Sequence, residues 1–592
     1  MESTMWLDQP VTLHGSREDE CDLTVEQCAY RAGHWRYWYI ADWVYALGTI
    51  YFFVATIAAC AFGFWALRLA PKSLRANRSW QKLVSSFRYL AYKRSNPKIL
   101  SGYVPSLGVC LLLGIGAVFF FAMTLGPQPY YWPNTRTLTY ASSPPIATRA
   151  GWMSLACLPF VVILPAKANM IASLTGVSHD RLIVFHNWVG WAMFVLALIH
   201  TFPFIIYHKW AGDLDMQWTM SIFYWSGTAA LICQAYLQFM SISWIRNRFY
   251  ECFKATHYAA AILFILFLFF HCDYTLTSWD YFIAAGVLYT LSWLYSQIRT
   301  YFEHGITRKA TFEMVSDVCM KITIPIDAKW TTAQHVFLRF LTLDTHSLTA
   351  HPFTICSIPN PSQVPGETKM VFYVQPRGGT TGRLAATAVR QPGYTVPVLI
   401  DGPYGGVQNR PLGDYDRSLI IACGSGAGLS LGTAMDVIAR SILNRRGEKP
   451  AHRMHVVIAT RDPRLLEWFE DALLAFLEET GASWPEEQLD ISVYQTGAAG
   501  SNRTSTDEEK GRQTSTVTQR RLPIAVQSGR PNLPALVQAA TKEPGTTVGI
   551  LACGPASVLE DVQSEAAAAQ LRILRSEAGA REVYLHSELF SW

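Results

Sequence analysis

Charge is what this 592-residue chain lacks most: Asp, Glu, Lys and Arg make up 16% of it, against about 25% in an average soluble chain. The shortage is local. Residues 1–300 hold 35 of the 93 charged side chains and residues 301–592 hold 58; between 101 and 298 there are 14, where a soluble stretch would carry about 50. A wholly soluble protein is excluded. The ordinary charge of the second half excludes a pure membrane bundle, so the chain has two parts. Net charge is only +5 and no long basic tract occurs, which gives no footing for a nucleic-acid partner. The twelve cysteines include no CxxC pair and no zinc-type spacing. Cys21 and Cys28 share a short polar N-terminus and can pair if that end is outside; the rest read as isolated thiols. Residues 1–38 have no basic stretch leading into an apolar one, so no cleavable signal peptide is expected.

What is there is apolar sequence in long runs. A bilayer core needs about 20 apolar residues per helix. Seven stretches qualify, near 41–67, 103–125, 151–171, 182–206, 219–241, 255–272 and 280–298. The loop after the first carries Arg68, Lys72, Arg75, Arg78, Lys82, Arg88, Lys93, Arg94 and Lys98 with no acidic residue, so it should be cytoplasmic. The net-acidic N-terminal tail, 1–40, then lies outside. Alternation holds, with Arg136 alone in 126–148 outside and Arg246, Arg248 and Lys254 in 242–254 inside. Seven helices leave the C-terminal half in the cytosol.

Ligand-type side chains inside such helices are functional candidates, because burying them is costly. His186 and His200 sit on the fourth helix, and His257 and His271 on the sixth, each pair 14 residues apart. That spacing is about 21 Å along a helix and within about 40° of one face. A lone intramembrane histidine commonly only hydrogen-bonds a neighbour. Four in two equal spacings, on helices running the same way, instead suit two stacked b-type haems, His186 pairing with His257 and His200 with His271. An iron held by two imidazoles has no open position, which suits electron transfer. Phe264, midway between His257 and His271, either sits between the haems or faces lipid or core. Lys167 either neutralises an inner-haem propionate or snorkels to the interface.

From about 308 the pattern changes to short β-type runs, such as Lys321–Pro325 and Val336–Phe340, with Pro- and Gly-rich turns between them, as for a small barrel up to about 405. Alternating strands and helices follow: Ser418–Ala422, His455–Ala459 and a last strand at Thr547–Leu551, a doubly wound nucleotide-binding pattern. Residues 498–530, rich in Ser, Thr, Gln, Arg and Gly, read as a disordered insertion. The sequons at Asn77 and Asn502 fall on the cytosolic side and read as chance. The turn Ala422-Cys423-Gly424-Ser425-Gly426-Ala427-Gly428 lies between a strand and a helix, where backbone amides can meet a pyrophosphate. Arg377-Gly378-Gly379-Thr380-Thr381 opens a second Gly-rich, basic loop that either holds another phosphate or is a surface hairpin.

In this order the motifs resemble the fungal ferric reductase branch of the superfamily that includes NADPH oxidases, over about residues 40–592. His351-Pro352-Phe353-Thr354 is similar to the family's flavin-binding signature, which implies Phe353 and Thr354 against the FAD ring and ribityl chain, with the Thr354 hydroxyl near the reactive nitrogen. Arg377 to Leu384 resembles its FAD pyrophosphate segment, and Asp401-Gly402-Pro403-Tyr404-Gly405 the marker at the junction of the two nucleotide domains. The resemblance further implies that Gly424, Ser425, Gly426 and Gly428 hold the NADPH pyrophosphate. Arg461 then faces the 2′-phosphate or is a plain surface arginine. Cys553-Gly554-Pro555 is similar to the segment that places nicotinamide beside flavin. Phe590-Ser591-Trp592 resembles the aromatic end that stacks on flavin until nicotinamide displaces it. Cys423 stands where many relatives have another glycine.

The fold implied is a multi-domain membrane protein: a seven-helix all-α bundle with two haems (41–300), a ferredoxin-reductase-like β-barrel FAD domain (305–406) and a doubly wound α/β NADPH domain (412–592). The function implied is NADPH-dependent ferric-chelate reduction: electrons pass from cytosolic NADPH through FAD and two haems to Fe(III) chelates, or to Cu(II), outside, reducing iron for uptake at the plasma membrane. Thr354, Cys553 and Trp592 would stand at the reacting centre. An extra N-terminal helix, the equal histidine spacings and the Phe-Ser-Trp ending favour this over an NADPH oxidase that reduces O2 to superoxide. A seven-helix receptor or transporter with a nucleotide-sensing tail is the reading without haem. His208, Asp213, Asp215, Asp273 and Asp280 lie near the expected outer haem and are either metal-docking groups or solvated loop residues. The partners expected are membrane lipid and the metal acceptor; homo-oligomerisation stays open, as does a vacuolar in place of a plasma membrane.

Overall fold

A backbone in an apolar setting must satisfy its own polar groups, and long apolar runs do so as helices. The computed structural model describes residues 21–33, 41–94, 105–273, 275–306, 308–342, 349–359, 368–407, 410–444, 452–462, 464–481, 488–497, 522 and 524–589. It divides into two units, residues 1–66 with 111–295 and residues 67–110 with 296–592.

The first unit is helical. Among the described residues, five helices are long and apolar enough to cross a membrane: Val44–Leu69, Leu107–Leu125, Pro145–Ile163, Arg181–Ala211 and Cys252–Cys272. The expected spans over 219–241 and 280–298 are helices too, Ile222–Met240 and Ser278–Ile298. Their apolar character is diluted, by Gln234 and Gln238 in one and by Asp280, Ser292, Ser296 and Gln297 in the other. The third span, expected over 151–171, is displaced toward the N-terminus because prolines bracket it: Pro145 occupies the first turn, and Pro165 follows the end at Ile163. Lys167 therefore lies in the connection to the short helix Met170–Thr175, which Asn169 caps through the amides of Ile171 and Ala172. Ala147, Ala150, Met153, Ala156 and Cys157 are fully buried in the unit's core. Cys21 and Cys28 form a disulfide.

The second unit holds two six-stranded sheets. The first runs β4 (His351–Thr354), β3 (Gln334–Phe340), β6 (Thr395–Gly405), β1 (Lys309–Ser316), β2 (Cys319–Pro325) and β5 (Lys369–Val374), every pairing antiparallel. The ends of this order meet, because the chain leaving β4 donates the Cys356 amide to the Val371 carbonyl of β5 at 2.8 Å. Alternate residues point inward: Phe312, Ile322, Ile324, Val336, Leu338, Met370, Phe372, Val398 and Ile400 are fully buried.

The second sheet is parallel, in the order β10 (Ile524–Ser528), β9 (Leu489–Gln495), β8 (Arg453–Thr460), β7 (Arg417–Cys423), β11 (Thr547–Gly554) and β12 (Glu582–Leu589). Two elements depart from the sequence reading. Residues 524–528 form a strand, paired with Ile491–Gln495, so this end of the segment expected to be disordered is ordered; residues 498–521 and 523 lie outside the described residues. The parallel partner supplies ladder bonds that the exposed Ile-Ala-Val run alone does not advertise. The sheet also continues past Thr547–Gly554 into β12, an edge strand whose alternation Glu-Val-Tyr-Leu-His is easily read as loop.

That edge is covered by the helix Arg78–Tyr92, from the basic loop. Its N-cap is Asn77, whose side chain accepts from the amides of Ser79 and Trp80. The Arg88 guanidinium donates to the Val583 carbonyl and to Glu582, both at 3.1 Å, and the Leu585 amide donates to the Tyr92 hydroxyl at 3.0 Å. The other Glu582 oxygen accepts from Arg410 at 2.9 Å. One largely buried carboxylate thus serves two guanidinium groups, and its removal leaves both unneutralised. We expect Glu582→Ala to lower the thermal unfolding midpoint by about 5 °C, an effect of about 2 kcal/mol; an unchanged midpoint would remove this contact from the fold's essentials.

Candidate functional site

In the first unit, His186 and His200 come from the helix His179–Ala211, and His257 and His271 from Tyr250–Cys272. The His186 and His257 rings lie 6.3 Å apart between centres, and those of His200 and His271 lie 5.7 Å apart. Two imidazoles on one metal ion, each bonded at about 2 Å, would have centres about 6 Å apart. Each Nδ1 is engaged: His186 to the Val161 carbonyl at 2.9 Å, His200 to Ala147 at 2.9 Å, His271 to Phe223 at 2.8 Å, and His257 to the Ser241 hydroxyl at 3.4 Å. A ring whose Nδ1 donates keeps Nε2 as a lone pair, the form a metal needs.

Local sequence makes those acceptors reachable. The residue four beyond Val161 is Pro165, which has no amide to donate to that carbonyl. Four beyond Ala147 and Phe223 stand Gly151 and Gly227. A methyl group on Gly151 would come within 2.4 Å of His200 Nδ1, and one on Gly227 within 2.6 Å of His271 Nδ1. Sequence reading missed both glycines, whose signal is a helical glycine facing a ligand histidine. It also missed Arg149, buried at 1% exposure, which donates to the carbonyls of Thr124 and Pro127 at 2.7 and 2.9 Å. A lone arginine within an apolar helix is a usable signal. Phe264 is buried in the same apolar core as Met193 and Leu196. Lys167 is half-buried.

Of the acceptor-side candidates, His208 and Asp213 are brought together at 2.9 Å, with Gln217 on the second carboxylate oxygen. Asp215 and Asp280 sit in the first turns of other helices, Leu214–Met220 and Ser278–Ile298, and Asp273 caps Tyr250–Cys272. No group of three or more His, Cys, Asp and Glu side chains is placed to hold a metal ion among the described residues.

In the second unit, His351 to Thr354 form β4, where Pro352 is exposed and Phe353 and Thr354 half-exposed. His351 Nε2 meets the Thr349 hydroxyl at 3.1 Å. Arg377, Gly378 and Gly379 turn into the helix Thr380–Arg390, whose first amides can receive an anion; the Arg377 amide donates to Thr381 Oγ1 at 3.1 Å. The Thr380 hydroxyl oxygen is buried with no hydrogen-bond partner. Gly402 lies in β6, its carbonyl accepting from the buried His304 ring at 2.7 Å. Asp401 accepts from Ser296 at 2.9 Å and from Tyr404. Sequence reading missed this cluster.

The Gly-rich turn leaves β7 at Cys423, with Gly424 at φ +53°, and enters the helix Ala427–Asn444. β11 lies next to β7 but was reached by a separate crossover, so the crevice at their carboxyl ends is the switch point where such sheets bind ligands. Cys553 is the last residue but one of β11 there: a methyl on Gly426 would meet its sulfur at 2.9 Å, and one on Gly428 would meet Cys356 Sγ at 2.5 Å. Burial, then the neighbouring Glu588, Cys423 and Cys356, push the Cys553 thiol well above the usual cysteine range, and burial raises Cys356 to about 12 and Cys423 to about 11. All three stay protonated at neutral pH. Gly554 is buried and Pro555 precedes the helix Ala556–Arg575.

Arg461 lines a cavity of about 400 Å³ with Thr496, Gly497, Gly529 and Arg530, at the carboxyl ends of β8, β9 and β10. Arg530 was missed because it falls in the segment read as disordered; a Gly-Arg step after a β-type run was the available sign. Phe590, Ser591 and Trp592 lie outside the described residues.

A histidine-bearing membrane bundle followed by an antiparallel barrel and a doubly wound sheet defines a class, integral membrane proteins with flavin- and nicotinamide-nucleotide-binding domains. Known families agree. Residues 150–268 match the family described as ferric reductase like transmembrane component, residues 306–408 an FAD-binding domain, and residues 415–567 the ferric reductase NAD binding domain. The chain is 30% identical over 390 residues to a probable cell surface ferric reductase, kap2, of Aspergillus oryzae, covering 62% of this chain and 50% of that one. It is 28% identical over 360 residues to ferric/cupric reductase transmembrane component 7 of Saccharomyces cerevisiae, covering 59% and 56%. Ferric reductase transmembrane component 3 of the same yeast is 24% identical over 560 residues, covering 89% and 72%. The chain spans about half the length of the first two of these relatives. Its three parts thus match, in order, a ferric-reductase-like transmembrane component, an FAD-binding domain and a ferric reductase NAD binding domain.

Two guanidinium groups facing one cavity suit a phosphate monoester. We expect Arg461→Ala and Arg530→Ala each to raise the KM for NADPH about tenfold, or about 1.4 kcal/mol, while leaving that for NADH near its starting value; equal losses with both nucleotides would show that the cavity does not bind the 2′-phosphate.

Proposed function

We propose that the chain is an NADPH-dependent ferric-chelate reductase that carries electrons from cytosolic NADPH across a membrane to Fe(III), with Cu(II) as a second acceptor. The observation that carries the reading is the set of four imidazoles, paired ring to ring with every Nδ1 engaged, in a chain that also matches FAD- and NAD-binding families. In this reading residues 41–300 form a seven-span haem domain, 305–406 the FAD domain and 412–592 the NADPH domain. The N-terminus faces outside, which a Cys21–Cys28 disulfide suits, and the nucleotide domains face the cytosol. The names of the relatives favour metal over oxygen as acceptor and the cell surface as location.

His186 and His257 would present Nε2 to one haem iron, and His200 and His271 to another. Arg149 and Lys167 are cations suited to haem propionates. Phe353 would lie against the flavin ring, with the Thr354 hydroxyl toward its reactive nitrogen; Arg377 to Thr381 and Gly402 would hold the rest of FAD. Amides of Gly424, Ser425, Gly426 and Gly428 would hold the NADPH pyrophosphate, and Arg461 and Arg530 its 2′-phosphate. Cys553, a neutral thiol, would border the nicotinamide with Gly554 and Pro555 without acting as a nucleophile. Trp592 would cover the flavin when nicotinamide is absent. When bound, the cofactors supply hydride acceptance from NADPH and one-electron transfer between carriers, while the protein places them.

Membranes supplied with NADPH test the acceptor. Ferric-chelate reduction should persist at full rate with superoxide dismutase present and oxygen removed; a rate that collapses under both would establish an NADPH oxidase instead. A second test addresses the haems. His200→Ala and Gly151→Val should each remove about half of the reduced-minus-oxidised b-type absorbance per protein. Retention of the whole signal in both would refute the histidine assignment.

A further inference from the structure

We propose that the helix Arg78–Tyr92 is a lipid-binding clamp: one face grips the nucleotide-binding unit, and the other seats in the cytoplasmic leaflet on anionic phospholipid headgroups.

The gripping face is described above: Arg88 and Tyr92 engage β12, and Val84, Ser85 and Tyr92 are buried. At 100° per residue, these positions and Tyr89 occupy one side of the helix. The opposite side carries Trp80, Leu83, Phe87 and Leu90 within an arc of about 80°. Two of these are left open to an unusual degree, Leu83 at 51% exposure and Phe87 at 63%, and Leu74 in the preceding turn is exposed at 37%. A helix already docked on one face has no reason from folding to show large apolar side chains on the other. Water is the wrong solvent for that face.

Chain continuity and charge identify its occupant. The apolar span Val44–Leu69 ends three residues before Lys72, which at about 3.5 Å per residue keeps this turn within about 10 Å of the span's end. The next apolar helix begins at Leu107. Both ends of the segment are therefore tied to the bilayer surface. Its basic residues number nine between Arg68 and Lys98, and the sequence has no Asp or Glu from residue 43 to residue 179. Arg75 caps the end of the span through the carbonyls of Ala70 and Arg68. Lys72 lies in the turn before the helix, Arg78 in its first turn, and Lys82 about 80° round the helix from Leu90. An amphipathic helix with exposed Leu and Phe, in a segment rich in Lys and Arg and free of acid, binds the interface of an anionic leaflet. A second protein docking on Leu83 and Phe87 would gain nothing from an acid-free border unless it were itself acidic.

The inference rests on the membrane-spanning reading above and not on the identity of the electron acceptor, so its first test does not use turnover. Full-length holoprotein carrying a benzophenone side chain at position 87 is placed in nanodiscs of phosphatidylcholine with about 30% phosphatidylserine and irradiated. A phospholipid adduct on the peptide containing residue 87 is expected. A cross-link to protein, or no adduct, overturns the proposal. The second test measures NADPH oxidation by the same holoprotein with a ferric chelate. Anionic discs should raise the wild-type rate at least about threefold over phosphatidylcholine alone, falling back as salt is added. The triple variant Lys72→Glu, Arg78→Glu, Lys82→Glu should turn over in neutral discs like wild type and lose the response. An identical response in that variant overturns the electrostatic part. Absence of ferric reduction in every disc, with the lipid adduct present, would count against the reductase reading and leave the clamp standing.

Discussion

The membrane part is organised by one requirement: a neutral imidazole in apolar surroundings must have its Nδ1–H accepted before its Nε2 can serve anything else. Helix interiors make this hard, since their carbonyls already accept from the amide four residues on. The chain meets the difficulty in three ways. Pro165 removes the competing amide from the Val161 carbonyl, which takes His186. Gly151 and Gly227 remove the side chains that would shield the carbonyls of Ala147 and Phe223, which take His200 and His271. Ser241 donates onward to Leu237 and leaves its oxygen for His257. The two glycines stand inside helices, which would otherwise disfavour them, and Pro165 and Ser241 stand at helix ends; each is accounted for by the histidine it serves.

The nucleotide-binding unit depends on a comparable close approach. The turn after β7 and the end of β11 face one another at the switch point, and the sulfurs of Cys553 and Cys356 fill the space beside Gly426 and Gly428. A side chain at either glycine would push the first turn of the helix Ala427–Asn444 away from those strands. The glycines are thus needed for packing whether or not a pyrophosphate is present. This is why a Gly-rich turn alone is weak evidence of function. The evidence strengthens when the same sheet also carries, at the carboxyl ends of β8, β9 and β10, a cavity lined by both Arg461 and Arg530.

The sequence made some of this legible and hid the rest for physical reasons. Histidine spacing is one-dimensional information about a helix face, so the partners and their order could be read directly. The carbonyl and hydroxyl acceptors belong to other helices, and nothing local to His186 points to Val161. Strands β7, β8 and β11 are buried on both faces and announce themselves as apolar runs. The outer strands β10 and β12 carry polar residues, so one was read as disorder and the other passed over. Arg530 was lost with β10. Two of the seven expected spans are helices whose apolar character Gln234 and Gln238, or Asp280 and several serines, dilute.

The basic loop shows most clearly what composition alone leaves undetermined. A tally of nine cations without an anion fixes which side of a membrane the loop faces, and any arrangement of those residues would give the same tally. Periodicity carries the additional information. Arg88 and Tyr92, four positions apart, meet β12, with Val84 buried one turn before them; Leu83 and Phe87, also four apart, stand exposed on the reverse side. An edge strand requires some cover, which accounts for the first set. The second pair has no such explanation in the folded chain, and it belongs to a segment with nine Lys and Arg and no acid, which is costly to bury in a protein core. An apolar surface on an acid-free, cationic segment is satisfied where hydrocarbon gives way to anionic headgroups, and the span ending at Leu69 delivers the helix to that boundary.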